Sequence, residues 1–597
     1  MKPTAATLGL ITVIVALVIA VLMLPEPTET AVAATGSDAP VDGLALINAR
    51  IFDGETVHEG ATLLIRDGLI QDLLTEGDVP SGYETLDIEG QTLLPGLIDA
   101  HVHAFNSARS DALRYGVTTM LDMFRPPFDF DQTRAERDAL EATTAADLFS
   151  AGYLATAEGG HGTQYGIAVP TLADAREVDA WVEERLAEGS DYIKIVIESG
   201  AAWSGELPTL NQSIVDALVV AAHARGVLAV AHVSTQAEAR MAVEAGVDGL
   251  VHVFVDEPLD AALARQMAEE GIFIVPTTTV LAGSHGQSGR GWIEEEATMA
   301  ERLSLEQRQT VEQQFPGSSL RAARWPQVPA IVGALHDAGV TLLAGSDAPN
   351  PATAHGASLL HELKLLNDAG LTPIEALRSA TSIPADRFGL EGRGCLQAGC
   401  RADVVWVAGN PLADIDDIRQ LRAVWKNGSP VSLETESASV AGTESDSLAM
   451  PMDLHGSGQW MPSSDNFMGG QSLAEVEMDD AENEIRVSGQ LNPGFAFPYA
   501  GAMWNPGATM MAAVNVTDAR TLSFTLEADQ GTYQLMLFSG ENMMAPPIQT
   551  EIAVGMGTVI DLGEFSGLDP SRLRAIGFYA VGGDADVAFS IRDARLQ

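Results

Sequence analysis

Between about Leu97 and Asp347 the chain passes through eight short apolar runs: LIDAHVHA, GVTTMLDM, LFSAGYLAT, YIKIVIE, VLAVAHVS, GLVHVF, GIFIVPTTT and TLLAGSD. Stretches of helical character, such as DAREVDAWVEERLAEG and TQAEARMAVEAG, separate most of them; their Ala, Glu, Leu and Arg content with spaced apolar positions favours amphipathic helix. Parallel strands joined by crossover helices are buried on both faces, which explains runs that are apolar throughout rather than alternating. Eight strand-helix units in about 250 residues suit a closed (β/α)8 barrel. An open doubly wound sheet is the alternative, but it would not gather residues from runs one, four, five, six and eight around one centre.

Those runs carry the polar groups that stand out. His101 and His103 lie in the first, Lys194 in the fourth, His232 in the fifth, His252 in the sixth and Asp347 in the eighth. Strand side chains alternate faces with a period of two, so His101 and His103 point the same way. Only four residues of the chain are lysine, and Lys194 sits inside an otherwise apolar strand. A lone ammonium there is costly to desolvate and needs a specific partner. One histidine in such a run is as readily a packed core residue as a ligand. The five-residue set with Lys194, gathered at the C-terminal mouth of a barrel, argues for a metal centre.

These pieces, PGLIDAHVHAF, IKI, AHVS, VHVF and GSDAP, resemble the amidohydrolase superfamily of metal-dependent hydrolases over roughly residues 44–430. The resemblance implies that His101, His103 and Asp347 hold one metal, that His232 and His252 hold a second, and that an N-carboxylated Lys194 bridges the two. Carbamylation turns a buried ammonium into an anion with two oxygens, whereas an unmodified Lys⁺ would be repelled by the metals. Imidazole and carboxylate ligands suit zinc, with manganese, iron and cobalt left open. Between paired cations a water can lose its proton near neutral pH and attack a polarised carbonyl, with Asp347 as the proton shuttle. Deaminases of this superfamily place a glutamate three residues after the fifth-strand histidine; here His232 is followed by Val233, Ser234 and Thr235. Amide hydrolysis is therefore favoured over deamination.

The mouth loops bear on substrate. EGGHGTQYG, after the third run, holds His161, Gln164 and Tyr165, and resembles a stretch of the prolidase-like and imidazolonepropionase-related amidohydrolases. His161 is assigned to the catalytic set, and His161, Tyr165 and Tyr192 are candidates to bind a substrate carboxylate. Xaa-Pro or other Xaa-Xaa dipeptides are the expected substrates. Hydrolysis of a cyclic amide, lactam or lactone is one alternative, and a catalytically idle extracellular carbohydrate-binding or scaffolding protein another. DAPNPATAHGASLLHEL, with His355 and His361, shares the resemblance of EGGHGTQYG, and these two and His285 are weaker candidates for substrate contact. The plainer reading puts the first two on a surface helix and His285 in a flexible loop.

Flanking segments 44–94, with Asp-Gly turn signals, and 385–430 contain strand-like pieces and resemble the composite β-domain that brackets many amidohydrolase barrels (95–384 here). Cys395 and Cys400, the only two cysteines, are candidates for a disulfide across a Gly-containing turn. Lys2, the apolar run Leu8–Leu24 and Ala31-Val32-Ala33 read as a signal peptide over residues 1–34, with an uncleaved membrane anchor as the alternative. Either places the catalytic module outside the cytoplasm, in the periplasm or the medium. The formal charge of −49, from 82 acidic and 33 basic residues, excludes nucleic-acid binding and suits a saline setting.

Residues 431–450 are a polar, acidic linker by composition. From 451 to 597, runs such as TLSFTLEA and TYQLMLFSG alternate polar and apolar residues, as antiparallel strands of a β-sandwich do. Through DNFMGGQS, FAFPYAGAMWNPG and the closing IGFYAVGGDADVAFSIRDARL, this part resembles the CIA30-like branch of the galactose-binding jelly rolls. Phe495, Phe497, Tyr499 and Trp504 are candidates either for stacking on a carbohydrate or for filling the sandwich core.

Overall fold

The computed structural model describes residues 43–597 apart from 164–168, 204, 288, 316, 435–449, 465–471, 480–482, 493–497, 508–512, 529–530, 541–546, 556 and 583–584. The expected signal or anchor segment and most of the expected linker lie outside the described residues. So do Gln164, Tyr165, Phe495 and Phe497.

Both flanks of the barrel build one sheet. Its N-terminal strands are β1 (Gly43–Phe52), β2 (Val57–Arg66), β3 (Leu69–Leu74), β4 (Tyr83–Asp87) and β5 (Thr92–Pro95). Asp67 and Gly68 both adopt left-handed backbone angles, φ 53° and 76°, and so close the β2–β3 hairpin as a tight two-residue turn.

The barrel follows with β6 (Leu97–Val102), β7 (Val117–Asp122), β8 (Asp147–Ser150), β9 (Ile193–Ile197), β10 (Ala229–Val233), β11 (Gly249–Val251) and β12 (Phe273–Val275). Pairing is parallel within β6-β7-β8 and within β9-β10-β11-β12. Two further contacts close the ring. Ala155 N donates to Lys194 O at 2.8 Å, joining the chain after β8 to β9. The eighth run pairs with β12 through Leu343 N to Ile274 O at 2.9 Å, and with β6 through Ala100 N to Ala344 O, also 2.9 Å. Gly345 permits this approach, since a Cβ there would lie 2.9 Å from the Cβ of His101. Ile98, Leu121, Val230, Val251, Phe273 and Leu343 form a buried apolar cluster with Tyr192 and Leu390. After β12 the chain makes the helices Thr278–Ser284, Arg290–Glu294, Ala297–Glu301, Leu305–Glu312 and Ser318–Arg321 before the crossover helix Gln327–Asp337.

Past the barrel, β13 (Val404–Val407), β14 (Leu421–Lys426) and β15 (Ser429–Pro430) return to the first sheet, whose order is β15-β14-β13-β5-β1-β2-β3 with β4 beside β1. Lys426 joins this sheet to the barrel. Its Nζ is buried and lies 3.0 Å from Asp147 Oδ2 and 2.9 Å from Asp403 Oδ2. Cys395 and Cys400 are disulfide-bonded.

The C-terminal part contains a six-stranded and a five-stranded antiparallel sheet. Trp504, Phe524, Leu535, Phe578 and Ile591 fill the core between them. Alternation of buried and open positions along Thr521–Ala528 turns one side of that strand, in the six-stranded sheet, to the core and the other outward.

Candidate metal centre

The C-terminal ends of the barrel strands bring the expected ligands together. Nε2 of His101 and Nε2 of His103 lie 3.3 and 3.2 Å from the same Asp347 Oδ1. One ligating atom each from His101, His252 and Asp347 falls within 4.8 Å of the others. The rings of His232 and His252 are 4.6 Å apart, and His161 stacks on His232 at 4.8 Å. Lys194 pairs in register with Val230, and His232 with Val196, so Lys194 lies two residues deeper on the neighbouring strand.

Backbone geometry at this end is unusual. His252 and Asp347 have φ of 67° and 55°, left-handed values that a non-glycine residue holds at a cost of about 1 kcal/mol or more. Both are held in place by main-chain bonds to neighbouring strands: His252 N to Val275 O at 2.9 Å and Asp347 N to His101 O at 2.8 Å.

The donor set fits divalent ions. Asp347 Oδ1 is buried, faces Nε2 of His101 and of His103 and forms no hydrogen bond with either, and such a group costs about 1–3 kcal/mol if left bare. Burial holds the imidazoles of His101 and His252 well below their ordinary pKa, with the nearby Lys194 charge adding to the effect. Burial and His232 bring His161 down to about 3. Neutral rings have a lone pair to give. The two later histidines each have one nitrogen engaged: His252 Nδ1 is 2.7 Å from Thr277 Oγ1, and His232 Nε2 is 3.4 Å from Glu198 Oε2. That leaves Nε2 of the first and Nδ1 of the second as donors for a cation. Lys194 is 4% exposed, and burial lowers its pKa to about 7 against the pull of Asp347 and Asp122, so a neutral amine is accessible for carbamylation.

Some expectations need correction. Tyr192 shares its strand face with Lys194 but lies two residues nearer the opposite end of the barrel; it is 2% exposed, donates from its hydroxyl to Asp122 O at 2.8 Å and packs against Phe388. It is a core residue, not a substrate contact. His355 and His361 are buried rather than on a surface helix, and His285 is buried with Nδ1 2.8 Å from Leu281 O. Trp504 is buried in the C-terminal core and offers no stacking face. Tyr165 lies outside the described residues.

Glu198 is the site residue that sequence reasoning missed. It directly follows β9, and although burial alone would raise its pKa, hydrogen bonds from His232, Ser234 and Gly200 hold it at about 2. A carboxylate closing an apolar run beside the fifth-strand histidine was the available signal.

Comparison with known proteins agrees with this geometry. The amidohydrolase family matches residues 92–431, and the NagA composite domain matches residues 44–93. Ochratoxinase of Aspergillus niger is 26% identical over 436 residues, covering 63% of this chain and 83% of that protein. Imidazolonepropionase of Deinococcus radiodurans is 26% identical over 417 residues, covering 64% and 92%. Among solved structures, a Xaa-Pro dipeptidase with bound methionine in its active site shares the fold with a TM-score of 0.54 at 24% identity, over 66% of this chain and 100% of that one. The match over residues 92–431, joined to this cluster of histidines and aspartate, means that the chain belongs to the amidohydrolase family and is a metal-binding hydrolase acting on carbon–nitrogen bonds.

Proposed function

We propose that the enzyme cleaves the amide bond of a small Xaa-Xaa dipeptide with a free C-terminal carboxylate, Xaa-Pro among them. The observation that carries the hydrolytic part of this reading is the convergence of His101 and His103 on one Asp347 oxygen beside the buried Lys194. His101, His103 and Asp347 would hold one divalent ion, His232 and His252 a second, and N-carboxylated Lys194 both. Such a pair, read as zinc, would acidify a water and polarise the scissile carbonyl.

The chain's own groups do the rest. Asp347 takes the proton of the attacking water and delivers it to the leaving nitrogen, so that the amide becomes an acid and an amine. His161, neutral and stacked on His232, is the ring at the mouth proposed to face the substrate's carboxylate or carbonyl oxygen. Fixing the substrate beside the attacking water removes much of the entropic part of the barrier. Likeness to a Xaa-Pro dipeptidase supports the dipeptide reading.

The match to imidazolonepropionase, whose name refers to a ring compound, favours a second reading: hydrolysis of a cyclic amide, lactam or lactone. A panel of Xaa-Pro, Xaa-Arg and apolar Xaa-Xaa dipeptides, their C-terminal amides, lactams and lactones separates the two. Dipeptides lead on the first reading, and amidating the carboxylate raises KM or lowers turnover. Activity on the cyclic compounds with none on any dipeptide overturns it. We further propose that the enzyme works outside the cytoplasm, a reading the Cys395–Cys400 disulfide supports. Finding the native chain in the cytosolic fraction would contradict that.

A further inference from the structure

The carboxylate of Glu198 is buried and surrounded by donors from two mouth loops. Oε2 lies 3.4 Å from His232 Nε2 and 3.2 Å from the indole Nε1 of Trp203, and also accepts the Ser234 hydroxyl. Oε1 accepts the Gly200 N–H at 2.6 Å. A second carboxylate pins the same two loops together. Glu238 accepts Ser199 N at 2.9 Å and Ser234 N at 2.9 Å while capping the helix Gln236–Ala245. The chain after β9 is therefore tied to the chain after β10 on both sides of Glu198.

We propose that Glu198 is a positioning residue for both halves of the site. Its carboxylate takes the Nε2–H of His232, so that this ring presents Nδ1 to the metal centre, and it takes the indole N–H of Trp203, so that this ring stands as a wall of the substrate pocket. Trp203 is 41% exposed, in the 3-10 turn Ala201–Trp203 of the segment that leads from β9 to the helix Gln212–Ala224. The guanidinium of Arg321, from the helical stretch after β12, lies 5.3 Å from the indole centroid. The wall is thus braced from the far side of the mouth. A metal-ligating histidine nearly always gives its second N–H to an acceptor that sets its tautomer and orientation. Glu198 fills that place for His232, as Thr277 does for His252. Apolar or aromatic side chains of the substrate are the groups an exposed indole face would accept.

This inference rests on the reading of His232 as a metal ligand. The test uses the full-length enzyme and three variants, Glu198→Gln, Glu198→Leu and Trp203→Phe, with ion content measured by mass spectrometry against a graded chelator and kinetics read in parallel. The wild type should hold two ions. Glu198→Leu should keep the ion of the His101 side and weaken the second by about 10–100-fold. Glu198→Gln, whose amide oxygen still accepts the ring N–H, should lose less. Trp203→Phe should bind both ions as the wild type does, yet raise KM several-fold for substrates with large apolar residues at unchanged kcat. Should Glu198→Leu not fold, the Glu198→Gln and Trp203→Phe results decide. Two ions of wild-type affinity in every folded Glu198 variant, whatever the change in thermal stability, overturn the role in positioning His232. Equal KM in Trp203→Phe overturns the wall. A wild-type enzyme without ions would instead remove the reading of His232 on which the proposal stands.

Discussion

His103 Nε2 lies 3.2 Å from Asp347 Oδ1, so the ends of the first and eighth barrel strands meet at a single carboxylate oxygen. The bridge between Val102 and Ala348 holds that meeting in place from the main chain. Asp347→Asn keeps the shape and one oxygen donor but removes the base. Turnover should fall by about 10²–10⁴-fold while most bound metal remains, as kcat and ion content measured on the same preparation would show. Near-native turnover with metals bound would contradict the assigned role.

Lys194→Arg retains a cation but cannot be carboxylated. The variant should fold, lose most activity and hold fewer than two ions per chain. Intact-mass measurement of the native enzyme under carbon dioxide should show the added carboxylate. Full activity in Lys194→Arg would remove the bridge from the account.

Lys426 should matter for stability and not for chemistry. Replacing it by Met leaves Asp147 and Asp403 buried without their shared cation, although Arg393 still reaches Asp147 at 2.8 Å. Breaking a buried ion pair from one side costs roughly 3–5 kcal/mol. Urea unfolding should shift to a clearly lower midpoint, with KM and kcat of the remaining folded enzyme unchanged.

The acidic surface has a consequence in salt. With a formal charge of −49 the folded chain repels itself, and raising the salt to 1 M shortens the screening length to about 3 Å. The melting temperature should rise between low and molar sodium chloride. A fall over that range would mean that attractive surface pairs outweigh the repulsion.

Much of this site could be read from the sequence because buried charge is conspicuous. A lysine within IKIVI needs a partner, and it is the set of histidines and an aspartate across several apolar runs, not any one of them, that points to a metal centre; the structure brings His101, His103 and Asp347 into contact. Tyr192 was read as a carboxylate binder because a tyrosine two residues before Lys194 offers a donor near the site, but nearness in the chain is not depth in the barrel, and the ring belongs to the barrel core. His355 and His361 were misread because a histidine before or on an amphipathic helix looks the same whether that side is open or covered by a neighbouring element. Here the stretch between β12 and Gln327 packs against them: Gln307 Nε2 donates to His355 O at 2.7 Å, and Trp292 lies 5.2 Å from the His361 ring. Glu198 escaped notice because its partners His232 and Ser234 are remote in the chain, and Lys426 because a lysine before Asn-Gly reads as a turn flank. The Asp67-Gly68 hairpin was legible because its turn chemistry is local.

The central claim, that carbon–nitrogen bond cleavage depends on the ions held by this cluster, is tested most directly by metal titration. Enzyme stripped by chelator is reloaded stepwise with zinc, and dipeptide hydrolysis is followed against ions bound per chain. The account predicts negligible activity in the stripped enzyme and a rise that levels off at two ions. Undiminished hydrolysis by fully stripped, folded enzyme would contradict it.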